Sequence, residues 1–170
     1  DLGAQIVPDH LDDGEKWINS VHVQSFPLTH SSGCVGYCFE AEGKKIVYAT
    51  DNEMPVQPED AFPDSKHAGG LRRVPEKLVE TLRDADLLIA DAQYTDEQYA
   101  SKKGWGHSSC LTVTDLAIQA NVKSLALFHH DPESTDRDID SMVKSCRRRA
   151  AKHHFEITIF AAPEGVELKF

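Results

Sequence analysis

Long apolar runs, an excess of positive charge, paired-cysteine motifs and an initiator methionine are all missing from this sequence, and each absence excludes something. No run approaches the roughly 20 apolar residues that a membrane-spanning helix needs, so a soluble protein is expected. The opening Asp1-Leu2-Gly3 carries neither a basic n-region nor an apolar h-region. Nothing there reads as a secretory signal, the expected setting is cytoplasmic, and the chain looks cut from something longer. The four cysteines (Cys34, Cys38, Cys110 and Cys146) form no C-x-x-C pair and no zinc-ribbon spacing, which fits reduced thiols. Cys34 and Cys38 fall on one face of a strand, too far apart along it to be bridged without distortion. Positive charge is scarce: the net charge is −10, which argues against broad attraction to nucleic acid or an anionic membrane. A nucleic-acid partner would need a local basic patch. The one candidate, Lys144 with Arg147, Arg148 and Arg149, lies in a helical pattern and reads as a solvated face. No internal repeat, low-complexity tract, H-x-H-x-D-H or H-E-x-x-H motif occurs.

What is present is ordinary globular material: 170 residues, 40% hydrophobic and 27% charged, enough for one domain with a core. Residues 20–26 alternate apolar and polar, residues 34–39 follow, and residues 44–50 end an apolar run directly in Asp51. Three strands fit this stretch, with Glu42-Gly43 as a hairpin turn, so the region reads as an antiparallel meander. Between Met54 and Val74 three prolines and a Gly69-Gly70 pair erase any period, predicting a long loop or flap. Beyond it, helix and strand patterns alternate. Pro75 opens a helix to Arg83, Asp86–Ala90 is a strand ending in Asp91, and Thr95–Lys103 is a short helix stopped by Gly104. Ser108 or Ser109 caps a helix to about Asn121, Lys123–Phe128 is a strand running into His129, and Asp136–His153 is an amphipathic helix. Residues 155–160 and 166–170 close the chain as strands around Pro163-Glu164-Gly165. Helices laid on sheets are the expected architecture.

Polar groups fall at strand ends. Asp51, Asp91 and His129 each follow an apolar strand immediately, and His30 stands at the mouth of a Ser-Ser-Gly turn. A carboxylate or imidazole beside a core is costly unless paired or metal-bound, so several converging at one sheet edge point to a site. Singly, each aspartate is also explained as a turn or helix cap. His130 and Asp131 are open to both a substrate role and a turn role. His22 reads as structural, and His10, His67, His153 and His154 as surface residues.

In order along the chain stand Pro27-Leu28-Thr29-His30 with Gly33-Cys34-Val35-Gly36-Tyr37, and then Val47-Tyr48-Ala49-Thr50-Asp51-Asn52-Glu53. Ile89-Ala90-Asp91-Ala92-Gln93-Tyr94, Gly106-His107-Ser108-Ser109 and Leu127-Phe128-His129-His130-Asp131-Pro132 follow. Together these pieces resemble the metallo-β-lactamase superfamily, in the branch that holds ribonuclease Z and the small cyclic-phosphate phosphodiesterases. The resemblance implies a four-layer αββα sandwich, of which residues 1–170 would be an incomplete, distal C-terminal portion of one domain, with 54–74 as its flap. It implies that His30, Asp51 and His129 are metal ligands, Asp51 bridging two divalent ions, zinc in the first place with manganese or iron as alternatives. It also implies that His107 acts on the scissile phosphate as proton donor or charge stabiliser and that Asp91 orients it, where ribonuclease Z usually has Glu. The implied activity is a phosphodiesterase using a hydroxide activated by two metals.

The family's H-x-H-x-D-H motif is the departure: it should precede residue 1, and without it this chain has three of the expected ligands and is expected to be poorly active alone. A non-catalytic half-domain serving as an interaction module is the reading from another class. For the enzyme, the acidic balance tilts the expected substrate from transfer RNA toward a small phosphodiester or cyclic phosphate, with lactones and thioesters as the carbonyl alternatives. A sandwich lacking its leading strands exposes apolar surface, so upstream sequence or a second copy, as a homodimer, is expected to cover it.

Overall fold

The computed structural model describes residue 11 and residues 14–31, 33–55 and 70–169. They form one seven-stranded sheet whose spatial order equals its sequence order. The strands are β1 (Glu15–Ile18), β2 (Val21–Leu28), β3 (Cys34–Ala41), β4 (Lys44–Ala49), β5 (Leu87–Asp91), β6 (Ser124–Phe128) and β7 (Thr158–Ala161). The first four pair antiparallel as the expected meander, and β4 to β7 pair parallel. The switch follows from the connections. Two-residue turns join β1–β2 and β3–β4, the latter with Glu42 and Gly43 both in the left-handed region (φ 52° and 72°) as a type I′ turn requires. The later strands are separated by helices, and a helical crossover returns the chain in the same direction.

Those helices are α1 (Glu76–Leu82), α2 (Asp96–Lys102), α3 (Cys110–Gln119) and α4 (Asp136–Lys152). Thr95 and Thr135 start α2 and α4 with capping boxes closed by Gln98 and Asp138, and Ser109 caps α3 through Thr112 N–H. One face of the sheet, with Phe26, Leu28, Cys38, Val47, Leu88, Leu125 and Ile159, shares a core with Leu82, Val113, Leu116 and Cys146 of the helices. By strand alternation the other face carries Val35, Tyr37, Phe39, Ile46, Tyr48, Ile89 and Phe128. Its aromatics pack on one another, Tyr37 on Phe39 and Tyr48 edge-on to Phe128. No helix or second sheet among the described residues covers it. Of the layers expected for the sandwich, the described residues supply one sheet and the helices on one of its faces.

Several expectations need correcting. Strand β1 carries no apolar alternation, and residues 166–169 form no strand after the Gly165 turn. The basic run is not a solvated face throughout. Arg147 donates to the Ile159 carbonyl, and Arg149 makes a two-pronged ion pair with the fully buried Asp115 at 2.7 Å. His153 is half-buried at the end of α4 with Nε2 enclosed, while His154 is exposed. His22 lies between Glu15 and Glu40, as a structural residue. His10, His67 and most of the 54–74 flap lie outside the described residues. No helix among the described residues is long and apolar enough to cross a membrane.

Candidate metal centre

Strands β2, β4, β5 and β6 all run the same way, so the residues at their C-terminal ends meet at one sheet edge, where open α/β sheets place their sites. His30 follows β2, Asp51 follows β4, Asp91 ends β5 and His129 follows β6. The fifth group, His107, arrives from the loop between α2 and α3. Ligand atoms of His30, Asp51 and His107 all lie within 4.8 Å of one another, close enough to share a cation. His30 Nε2 is 3.8 Å from Asp51 Oδ2. His129 is outside that trio; its ring centroid is 4.8 Å from that of His107, which is itself 5.5 Å from that of His30. His129 has φ 57°, a strained backbone for a residue with a Cβ, set where β6 turns into the site.

The carboxylate of Asp91 organises the second layer. It is buried, and accepts from Asn52 N–H (3.1 Å), Gln93 N–H (3.1 Å) and His107 Nδ1 (2.8 Å). Burial pushes its carboxyl above the ordinary carboxylate range, against the opposing pull of Asn52 N–H and His107. With two backbone donors already on this carboxylate, His107 is placed to donate from Nδ1, which leaves Nε2 toward the cluster. Asn52 ties three segments together: its side chain accepts from Thr29 N–H, its N–H reaches Asp91, and its carbonyl accepts from Ser108 Oγ.

Glu53 does the same for the His107 loop. Its carboxylate accepts from Gly104 N–H, Gly106 N–H and Tyr99 Oη, each at 2.8 Å. Burial works to raise its pKa, but these three donors and the nearby His107 outweigh it and hold the carboxyl below its ordinary range. The loop is pulled so close that a Cβ on Gly106, at φ +94°, would sit 2.6 Å from His30 Nε2. Only glycine lets the loop press His107 against His30. Asn52, Glu53, Ser108 and Gly106 gave no local signal of these roles, since their partners lie tens of residues away. Asp131 is a turn residue, accepting from Glu133 N–H. Both ring nitrogens of His130 are buried with no partner among the described residues, and burial lowers its pKa.

The donor set suits a divalent transition metal. Imidazole nitrogens and a carboxylate are the usual zinc ligands, and His30, His107 and His129 gather here around Asp51.

No family model matches the chain. Individual proteins do. Ribonuclease Z of Sulfurisphaera tokodaii is 40% identical over 88 residues, 52% of this chain and 27% of that protein. Ribonuclease Z of Clostridioides difficile is 29% identical over 155 residues, 75% of this chain and 50% of that protein. In structure, the metallo-β-lactamase fold protein YhfI of Bacillus subtilis superposes with a TM-score of 0.62 at 16% identity, covering 91% of this chain and 52% of YhfI. The chain has the metallo-β-lactamase-like fold. Over the matched part its sequence is ribonuclease Z-like. The short form of human tRNase Z also matches, with a TM-score of 0.53 at 23% identity over 71% of this chain and 41% of that one. Likeness at these structural identities speaks for the fold alone. The chain spans between 27% and 50% of the length of the two curated relatives above.

Proposed function

We propose that this metallo-β-lactamase-type chain carries one side of the active site of a cytoplasmic metal-dependent phosphodiesterase that cleaves ribonucleotide phosphodiesters. The observation that carries the reading is His107: its Nδ1 is fixed on the buried Asp91, and a nitrogen of the same ring lies within 4.8 Å of ligand atoms of His30 and Asp51. A metal-free interaction module has no use for an imidazole fixed in this way. His30, Asp51 and His129 would hold divalent ions, zinc in the first place. Bound there, the ions supply Lewis-acid activation of water and neutralise charge on the phosphoryl oxygens. The chain's own residues do the rest. Asp91 keeps His107 in one orientation, so that Nε2–H can donate to the scissile phosphate or to the departing oxygen. Glu53 and Asn52 hold the His107 loop and the Asp51 loop in register.

For the substrate, the acidic balance favours a small or cyclic phosphate, while the curated relatives are named ribonuclease Z; the second consideration bears on the site itself and weighs more. The test is a panel of RNA, cyclic nucleotides, lactones and thioesters offered to the natural gene product with zinc, manganese and iron in turn. Metal-dependent cleavage of RNA or another ribonucleotide phosphodiester, with little turnover of lactone or thioester, is expected. Turnover confined to carbonyl substrates would overturn the assignment.

A further inference from the structure

We infer that Trp105, with Lys102 beside it, is a stacking platform for a nucleobase of the substrate adjoining the cleaved phosphate; the inference rests on the phosphodiesterase reading. Trp105 is 59% exposed, in the loop between α2 and α3 that delivers His107. An exposed indole on a mobile loop would mean little, but this backbone is fixed. The N–H groups of Gly104 and Gly106 on either side both donate to Glu53, and Trp105 N–H donates to the Lys102 carbonyl at 3.2 Å. The next residue, Gly106, lies against the ring of His30. The indole is therefore held in solvent next to the glycine that lies against His30 and two residues before His107, where burial gives it nothing and a planar ligand gives it a partner.

Lys102 supplies the second half. Its ammonium sits 4.0 Å over the Trp105 ring and 5.9 Å from that of Tyr94, whose ring in turn meets His107 edge-on. The charge thus neighbours both the indole and the Tyr94 ring that meets the catalytic histidine, near where the phosphate of a stacked nucleotide would fall. In a molecule of net charge −10, Lys102 places a cation at this edge beside the carboxylates of Asp131, Asp91 and Glu53 that act on Tyr94. An aromatic face with a cation alongside is the pairing used for single-stranded nucleic acid, the ring taking the base and the charge the backbone. Lys102 occupies the ring without burying it, and no other ring or cation contact to Trp105 occurs among the described residues.

The experiment compares two short RNA substrates on the natural gene product, one intact and one with an abasic ribose flanking the cleaved bond. The wild type is expected to favour the intact RNA in kcat/KM by about tenfold or more, mostly through KM. Trp105→Ala should collapse that preference to within about twofold, and Trp105→Phe should keep most of it. A preference retained in Trp105→Ala, or absent from the wild type, overturns the platform. In parallel, a Trp17→Phe background leaves Trp105 as the sole tryptophan of this chain. Its fluorescence should be quenched saturably by the intact oligonucleotide and not by the abasic one. Equal indifference to both would mean that Trp105 is covered by protein and would also overturn the proposal. If neither RNA is cleaved but the quenching is base-dependent, the phosphodiesterase reading fails and the platform stands.

Discussion

At the scale of single residues the proposed chemistry rests on His107, and its two nitrogens separate its possible duties. With Nδ1 on Asp91 at 2.8 Å, the ring is held whether Nε2 gives a proton or binds a cation. Assigned as a donor, His107→Ala in the natural gene product should lower kcat by about 10²- to 10⁴-fold and leave metal per chain intact. Metal lost in proportion to activity would make His107 a ligand instead. Gly106 offers a second test. A Cβ there would strike His30 and force an alanine to φ +94°, a strain of about 1–3 kcal/mol before any shift of the ring. Gly106→Ala should therefore weaken metal binding about tenfold or more while the rest of the fold still melts cooperatively. An unchanged affinity would show that the loop can move away. His30, Asp51, Asp91 and His129 were legible in the sequence because an apolar strand that stops on a polar residue marks a sheet edge. Glu53 and Asn52 were not, because a carboxylate gripping two glycine N–H groups some fifty residues on leaves no local pattern.

Elements were legible where an apolar period was clean and illegible where it was not. Strands β2 to β6 and the four described helices follow their patterns to within about two residues. Strand β1 was missed because Trp17 and Ile18 are both largely exposed and give no alternation, and the strand expected at 166–170 fails because Val166 and Leu168 find no core. The charge on α4 was misjudged for a related reason: a run of arginines says nothing about which one faces Asp115. With that carboxylate fully buried, Asp115→Ala strips Arg149 of its partner and should cost about 3–5 kcal/mol in denaturant unfolding. A cost within the scatter of surface mutants would contradict it. Asp86 joins three strands, accepting from Lys45 N–H and from the Lys123 ammonium at 2.8 Å. The Lys123 ammonium first, then Lys45 N–H, hold its carboxyl below the ordinary range. A carboxylate depressed on folding stabilises above its unfolded value of about 3.9 and loses that contribution as pH falls through the folded value. Melting curves should show the wild type more stable than Asp86→Asn at pH 7, and the gap should close as pH falls below about 4. A gap independent of pH would remove the charge from the account. The Lys44 and Lys123 ammonium groups that pair with Asp86 are 49% and 66% exposed, so solvent screening keeps their contribution to stability small.

At the scale of the whole molecule, the two faces of the sheet differ. Among the described residues, helices α1, α3 and α4 close one side of the sheet, whereas no element covers the aromatic side, where Val35 and Phe128 are 44% and 37% exposed. A contiguous apolar face of this kind calls for a partner. In light scattering after gel filtration, the 170-residue chain should run above its monomer mass of 18.9 kDa or bind a hydrophobic dye strongly. A monodisperse, dye-silent monomer would show that the face is satisfied internally. The central claim, however, concerns the sheet edge, where His30, Asp51, His107 and His129 converge. The most direct measurement is the metal content of the purified natural gene product beside that of its Asp51→Ala variant. The account predicts about two divalent ions per chain in the first, and loss of at least one, with phosphodiester cleavage, in the second. Equal metal content in the two proteins would contradict it.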